Sequence, residues 1–150
     1  MQKLTAYKAT TCLGALALLG ATVFVVIRWS AMPESIPTHF GAGGVIDAYG
    51  QKSSIFVPLV LGWLIFGMLT LIGLIPINAW NTPINVARPL KVMLGLLNLI
   101  IALDYAYMTV CTALCRDLGR WNLPVFLFLL YSDMAAIIIT VIVGVVKSKK

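Results

Sequence analysis

The residue types best suited to binding or catalysis lie in the polar segment 28–54. This segment holds the only histidine, His39, and the acids Glu34 and Asp47. One histidine is too few for a histidine-rich metal centre or for a haem held by two histidines. A metal would need Asp47, Glu34 or Asp117 as oxygen ligands, and that mixed set is only weakly indicated. A hydrogen bond from His39 to Asp47, or to a backbone carbonyl, would instead fix the shape of the segment. We predict this hydrogen bond, with no resident metal and no cofactor.

Two further acids, Asp104 and Asp133, lie inside long apolar runs, where a carboxylate is costly and therefore suggests a function. Counted from Val92 and Val146 at about 1.5 Å per residue, they come out roughly 18 and 20 Å deep, nearly level with each other. Two level carboxylates on neighbouring helices could share a proton, bind a cation or form a proton path. Alternatively, each carboxyl bonds to a nearby hydroxyl and only specifies helix packing. The sequence leaves both interpretations open.

The remaining residue types give no catalytic constellation. Cys12, Cys111 and Cys115 contain no C-x-x-C pair, although Cys111 and Cys115 are one helical turn apart. Thiol-oxidising membrane enzymes need closely spaced cysteine pairs, so buried apolar thiols are the better interpretation. The sequence contains no H-E-x-x-H motif, no phosphate-binding glycine loop and no convincing Ser-His-Asp order. We therefore predict that the chain is not an enzyme.

Four apolar runs must position these residues. Hydrophobic residues make up 61% of the 150 positions and charged residues 11%, against roughly 45–50% and 25% in soluble domains. A run of about 20 apolar residues can cross the hydrocarbon layer as a helix. We predict an all-α integral membrane protein with one four-helix transmembrane domain over residues 1–150. Its helices are predicted at about 10–27, 55–75, 92–114 and 124–146, with 28–54 as a structured loop between the first two.

Basic residues are distributed unequally between the two ends of the predicted helices. One side collects Lys3, Lys8, Arg88, Lys91, Lys147, Lys149 and Lys150, and the other collects Arg28, Lys52, Arg116 and Arg120. By the positive-inside rule, this places both termini in the cytoplasm of a cell inner membrane and the His39 loop outside. The same distribution explains the net charge of +6 without a nucleic-acid partner. We interpret the first run as a retained signal anchor.

Within the outward loop, two short arms flank a glycine-rich turn. The pattern predicts a small hairpin with arms Ile36–Phe40 and Val45–Tyr49 and a turn at 41–44. Such a hairpin would bring His39 toward Asp47 across the turn. The sequence does not show whether the hairpin folds back onto the helices.

The chain contains two sequence motifs, one in the loop and one after the second helix. The loop residues concerned are Pro33, Ile36, Pro37, His39, Phe40, Gly41, Gly44, Asp47, Tyr49, Gly50 and Lys52. They match the signature L-P-x-x-I-P-x-H-F-[NG]-x-x-G-x-x-D-x-[WYF]-G-S-K, except that Met32 replaces leucine and Gln51 replaces serine. An N-x-P follows at Asn81 and Pro83. In both motifs the chain resembles a bacterial membrane-domain family of unknown function that is found in SdpI-type immunity proteins.

The resemblance implies a membrane protein of the SdpI kind. SdpI-type proteins are multi-helix membrane proteins that protect the producing cell from its own secreted peptide toxin. They also hold a repressor at the membrane once the toxin is sensed. This chain departs from them in having four predicted helices, where SdpI-type proteins add further ones. The partners implied, besides the lipid bilayer, are a peptide toxin or a partner membrane protein.

Three functions are compatible with these observations. The first, which we expect, is recognition of a peptide, lipid or membrane protein by the outward loop. The side chains that would make the contacts are His39, Phe40, Asp47, Tyr49 and Lys52. The second is proton- or cation-coupled transport by a small, oligomeric protein that uses Asp104 and Asp133. The third is an accessory subunit whose loop caps a larger membrane complex.

Overall fold

The computed structural model describes residues 4–76 and 83–148, and over these residues the fold is four helices and one β-hairpin. The helices are α1 (Leu4–Arg28), α2 (Phe56–Leu74), α3 (Ile84–Ala113) and α4 (Asn122–Ser148), and the strands are β1 (Ser35–Phe40) and β2 (Ile46–Gln51). All four helices are long and apolar enough to cross a membrane. This confirms the predicted helix number and order.

The start of α3 differs from the prediction. It lies at Ile84 instead of residue 92, because the polar turn that precedes the apolar run is also helical. Pro83 has an extended conformation just before the helix, and its carbonyl accepts the amides of Val86 and Ala87, each at 2.9 Å. Pro83 therefore accepts the first regular bond of the helix, from Ala87, and also satisfies Val86, one of the amides that a helix start leaves free. Asn81, the other residue of the N-x-P motif, lies outside the described residues.

Helix α3 is the centre of the bundle, because α1, α2 and α4 all pack against it. Small residues allow the close approach of the helices. Gly14 of α1 faces Ala102, and Gly62 of α2 faces Tyr105. Helix α4 also packs along α3, and Gly144 lies against Val86 near the beginning of α3.

The loop after α1 is an antiparallel hairpin, as predicted. Its register pairs Ile36 with Gly50 and Phe40 with Ile46, with an irregularity around His39. In the turn, the amide of Gly41 donates to the carbonyl of Val45 at 2.9 Å. Each arm is one residue longer than predicted, and the second begins one residue later, at Ile46.

The hairpin folds back onto the helix bundle. Ile36 is fully buried, in a cluster with Val25 at the end of α1 and Ala113 at the end of α3. The tip of the hairpin is bound to the α3–α4 loop, since the amide of Leu118 donates to the carbonyl of Gly44 at 2.8 Å. The first and third connections therefore lie at the same end of the bundle, as the predicted topology requires. We call this the hairpin end.

Candidate functional site

The hairpin covers a cavity at its end of the bundle. The cavity has a volume of about 510 Å³ and lies between β1 and the facing parts of α2, α3 and α4. Ligand sites in proteins typically measure about 300–1,000 Å³ and are mostly apolar with a few polar groups. This cavity has that character: apolar side chains such as Leu61 and Phe126 alternate with Thr38, Tyr105 and Asp104.

Asp104 is the carboxylate of the cavity, and the start of α4 holds it. Its Oδ1 accepts a hydrogen bond from Nδ2 of Asn122, the first residue of α4, at 3.3 Å. Asp104 lies nine residues before Ala113 at the end of α3, which places it roughly 13 Å below the level where the hairpin rests. One helical turn farther along α3, the hydroxyl of Tyr107 donates to the carbonyl of Leu118 at 3.0 Å. These two bonds fix the beginning of α4 against α3.

His39 and Asp47 form the predicted hydrogen bond across the hairpin. Their Nδ1 and Oδ1 atoms are 2.6 Å apart, and the ring nitrogen is the donor because a carboxylate only accepts. Both side chains are largely exposed, at 68% and 49%. His39 also lines the edge of the cavity. Among residues 4–76 and 83–148, no group of three or more His, Cys, Asp or Glu side chains is placed to hold a metal ion.

Replacing His39 by alanine should weaken the hairpin only slightly. Exposed ion pairs contribute about 0.2–1 kcal/mol, so we expect at most about fivefold faster hydrogen exchange at the amide of Gly41, which the turn protects. Tyr49→Ala is the control, since Tyr49 is 60% exposed on the same hairpin. If His39→Ala reduced the stability of the hairpin by more than about 2 kcal/mol, His39 would do more than hold Asp47.

Lys52 lies at the base of the hairpin, away from the cavity. Its ammonium is 3.7 Å from Oε1 of Glu34 and 4.9 Å from the ring centre of Trp29. The Trp29 ring in turn packs on Phe56. Lys52 also closes the hairpin base through its amide, which donates to the carbonyl of Glu34 at 2.9 Å. Its observed contacts are therefore structural.

The loop motif divides into buried and exposed residues. Ile36, Pro37 and Gly44 are buried and shape the hairpin. Pro33 and Tyr49 are exposed and lie outside the cavity lining. Phe40 is half-buried and does line the cavity, whereas Gly50 faces the side chain of Thr38, which leaves no room for a Cβ. The structure thus brings only part of the motif to one site.

The prediction that Asp104 and Asp133 lie level with each other is wrong. Asp104 is paired with Asn122, and Asp133 comes eleven residues after Asn122 on the same helix, or roughly 16 Å along its axis. The depth count assumed membrane edges at fixed residues, whereas the register of α3 and α4 follows from their own packing. Asp133 is buried, and its Oδ2 has no hydrogen-bond partner among the described residues.

The sequence does not predict the roles of two further residues. Asn122 lies before the predicted start of the fourth helix at about residue 124, although asparagine just before an apolar run is a typical helix-start residue. Asp117 was considered as a metal ligand. Its Oδ1 instead accepts the amide of Ile46 at 2.8 Å, and this bond joins positions 71 residues apart. No local pattern could have indicated that pairing.

A family model matches the hairpin region. It is described as "Domain of unknown function (DUF1648)" and covers residues 16–62, from the middle of α1 to the beginning of α2. An uncharacterized protein from Archaeoglobus fulgidus is 34% identical over 50 residues, which are 33% of this chain and 27% of that relative. No solved structure matches. The family match includes the residues of the hairpin, and the SdpI-type resemblance stays a prediction.

Proposed function

We propose that this chain is a multi-pass protein of a bacterial inner membrane that binds a ligand under an outward-facing hairpin. Four helices of sufficient length and apolarity support the membrane location. The excess of basic residues at the end opposite the hairpin supports cytoplasmic termini. The proposed activity is binding, without catalysis, a cofactor or nucleic acid.

The observation that carries the proposal is the covered cavity. A hairpin that only connected two helices would need no partly covered cavity of about 510 Å³ beneath it. Instead, β1 is anchored at its base by Ile36 and at its tip by the bond between Gly44 and Leu118. Anchoring at both ends preorganises the cavity, which reduces the ordering cost when a ligand binds.

An SdpI-like role in immunity or signalling is consistent with this geometry. Recognition of a peptide toxin or a partner membrane protein would use the exposed side of the hairpin, where His39, Asp47 and Tyr49 are accessible. The buried motif residues would then keep that surface in shape. The same exposed surface could instead contact the other subunits of a larger complex or further copies of this chain. Transport through one proton-sharing pair is not proposed, because Asp104 and Asp133 are far apart.

The proposal can be tested by filling the cavity. Leu123 lines it, and Leu123→Trp should occlude the space. Ile139→Trp on the same helix is the control, because Ile139 is 61% exposed and lies outside the cavity lining. After extraction from native membranes in mild detergent, native mass spectrometry should find a bound mass on the wild type and on Ile139→Trp, and none on Leu123→Trp. An equal bound mass on both variants, or none on a folded wild type, would contradict the proposal.

A further inference from the structure

We propose that the cavity opens sideways into the bilayer between α3 and α4, and that its ligand is a single-chain amphiphile with an ammonium head group. This inference rests on the proposed binding function and names the ligand class. It starts from one juxtaposition: Asp104, Asn122 and Phe126 line the hairpin-covered cavity and also a second, lateral groove.

The groove lies between α3 and α4 and has a volume of about 230 Å³. Apart from Asp104, Asn122 and Tyr107, its lining is apolar, with Ile100 and Leu103 from α3 and Val125 and Leu129 from α4. Leu103 and Val125 are each about half exposed. Both helices are membrane-span candidates along this stretch, so the groove would face lipid chains. A molecule dissolved in the bilayer could reach Asp104 from there without crossing the hairpin.

The charge of the site selects the head group. Among the described residues that line the cavity, Asp104 is the one carboxylate. Its hydrogen-bond partner there is the neutral amide of Asn122, at the long distance of 3.3 Å. A carboxylate among apolar walls favours a cation, because an ammonium both neutralises the charge and donates charge-assisted hydrogen bonds. An anionic head group would be repelled, and an uncharged one would gain less.

The direction of the groove favours a ligand with a hydrocarbon chain. From Asp104 it continues to Ile100 and Leu129, away from the hairpin and toward the middle of the helices. The cavity continues the other way, toward Thr38 and Phe40 of β1. An amphiphile would thus keep its usual orientation, with its head toward the hairpin end and its chain toward the bilayer centre. Asp104 is placed at the junction, where the ammonium would lie.

The test uses a photoreactive alkylamine on the full chain in phosphatidylcholine nanodiscs. Crosslinks that unlabelled alkylamine competes away should map to the peptides of α3 and α4 that hold Leu103 and Val125. A matched alkyl alcohol and an alkyl carboxylate should give about tenfold less competed labelling, the difference expected when a charge-assisted hydrogen bond is missing.

Two variants with matched controls complete the experiment. Asp104→Asn should lower the competed labelling about tenfold, whereas Asp133→Asn, which changes the other buried acid, should leave it unchanged. Val125→Trp lies in the groove but not in the cavity lining, and it should reduce labelling while Ile139→Trp does not. Val125 is exposed, so this variant tests lateral entry even if Asp104→Asn does not fold.

The outcomes separate this inference from the proposed function. The inference would be overturned if the amine and the alcohol gave equal labelling. It would also be overturned if either Asp104→Asn or Val125→Trp, correctly folded, left the labelling unchanged. If Leu123→Trp still removed the native bound mass in that case, the binding function would stand with a different ligand. If neither cavity nor groove variants changed any binding, both proposals would fall.

Discussion

Gly44→Val is expected to release the tip of the hairpin from the α3–α4 loop. Gly44 has a φ of +71°, which favours glycine, and a Cβ there would lie 2.5 Å from the carbonyl oxygen of Gly119. That oxygen belongs to the backbone, so it cannot move aside as a flexible side chain would. The left-handed conformation costs about 1–2 kcal/mol and the overpacking about 1–3 kcal/mol, so docking should weaken by about 2–5 kcal/mol.

The bond that Gly44 makes also provides the measurement. The amide of Leu118 donates to the Gly44 carbonyl, so its hydrogen exchange reports directly on docking of the tip. We expect exchange at Leu118 to accelerate by roughly 30-fold or more. Gly43→Ala is the matched control in the same turn, because a Cβ at Gly43 meets nothing closer than Val45 at 4.0 Å. Unchanged protection of Leu118 in Gly44→Val would show that the tip is not held as described.

The local features of the site were predictable from the sequence. Glycines at 41, 43 and 44 between two short arms predicted the turn, and the turn alone brings His39 to Asp47. The four helices followed from apolar runs of membrane length. These features depend on residues close together in the chain, where spacing and side-chain type carry most of the information.

The parts that could not be predicted join distant segments. Docking of the hairpin depends on Asp117 and Leu118, which lie about 70 residues beyond it. The depth of Asp104 relative to Asp133 depends on how α4 slides along α3. That register is set by contacts such as Gly144 against Val86 and Thr140 against the sulfur of Met93. A count along one helix carries no information about a neighbouring helix.

The matched region and the proposed ligand determinants come from different parts of the chain. The family match covers residues 16–62, which supply the second half of α1, the hairpin and the first turns of α2. The carboxylate and the lateral groove come from Asp104 and the start of α4. The cavity lining also includes Tyr105 and Met108 of α3 and Leu123 of α4, so the matched region supplies only part of the cavity. The hairpin therefore covers the cavity, and α3 and α4 supply the groups that we propose determine its ligand.

Docking of the hairpin base onto the helices should depend on Ile36, just as docking of the tip depends on Gly44. Ile36 is fully buried, and its cluster joins the ends of α1 and α3 through Val25 and Ala113. Ile36→Ala removes this packing and leaves a cavity, which typically costs about 2–5 kcal/mol. Val45→Ala is the control on the same hairpin, because Val45 is 58% exposed, and it should stay within about 0.5 kcal/mol of the wild type.

Exchange at both ends of the hairpin distinguishes how it opens. A two-stranded ribbon is marginally stable by itself, so we expect the base and the tip to open together. In Ile36→Ala, the amide of Leu118 at the tip should then lose protection along with the amide of Lys52 at the base. If Leu118 stayed protected while Lys52 exchanged, the two anchors would act independently. The cavity would then have one mobile side and one fixed side, and cavity-filling substitutions near Phe40 and Gly44 would affect binding more than those near Ile36.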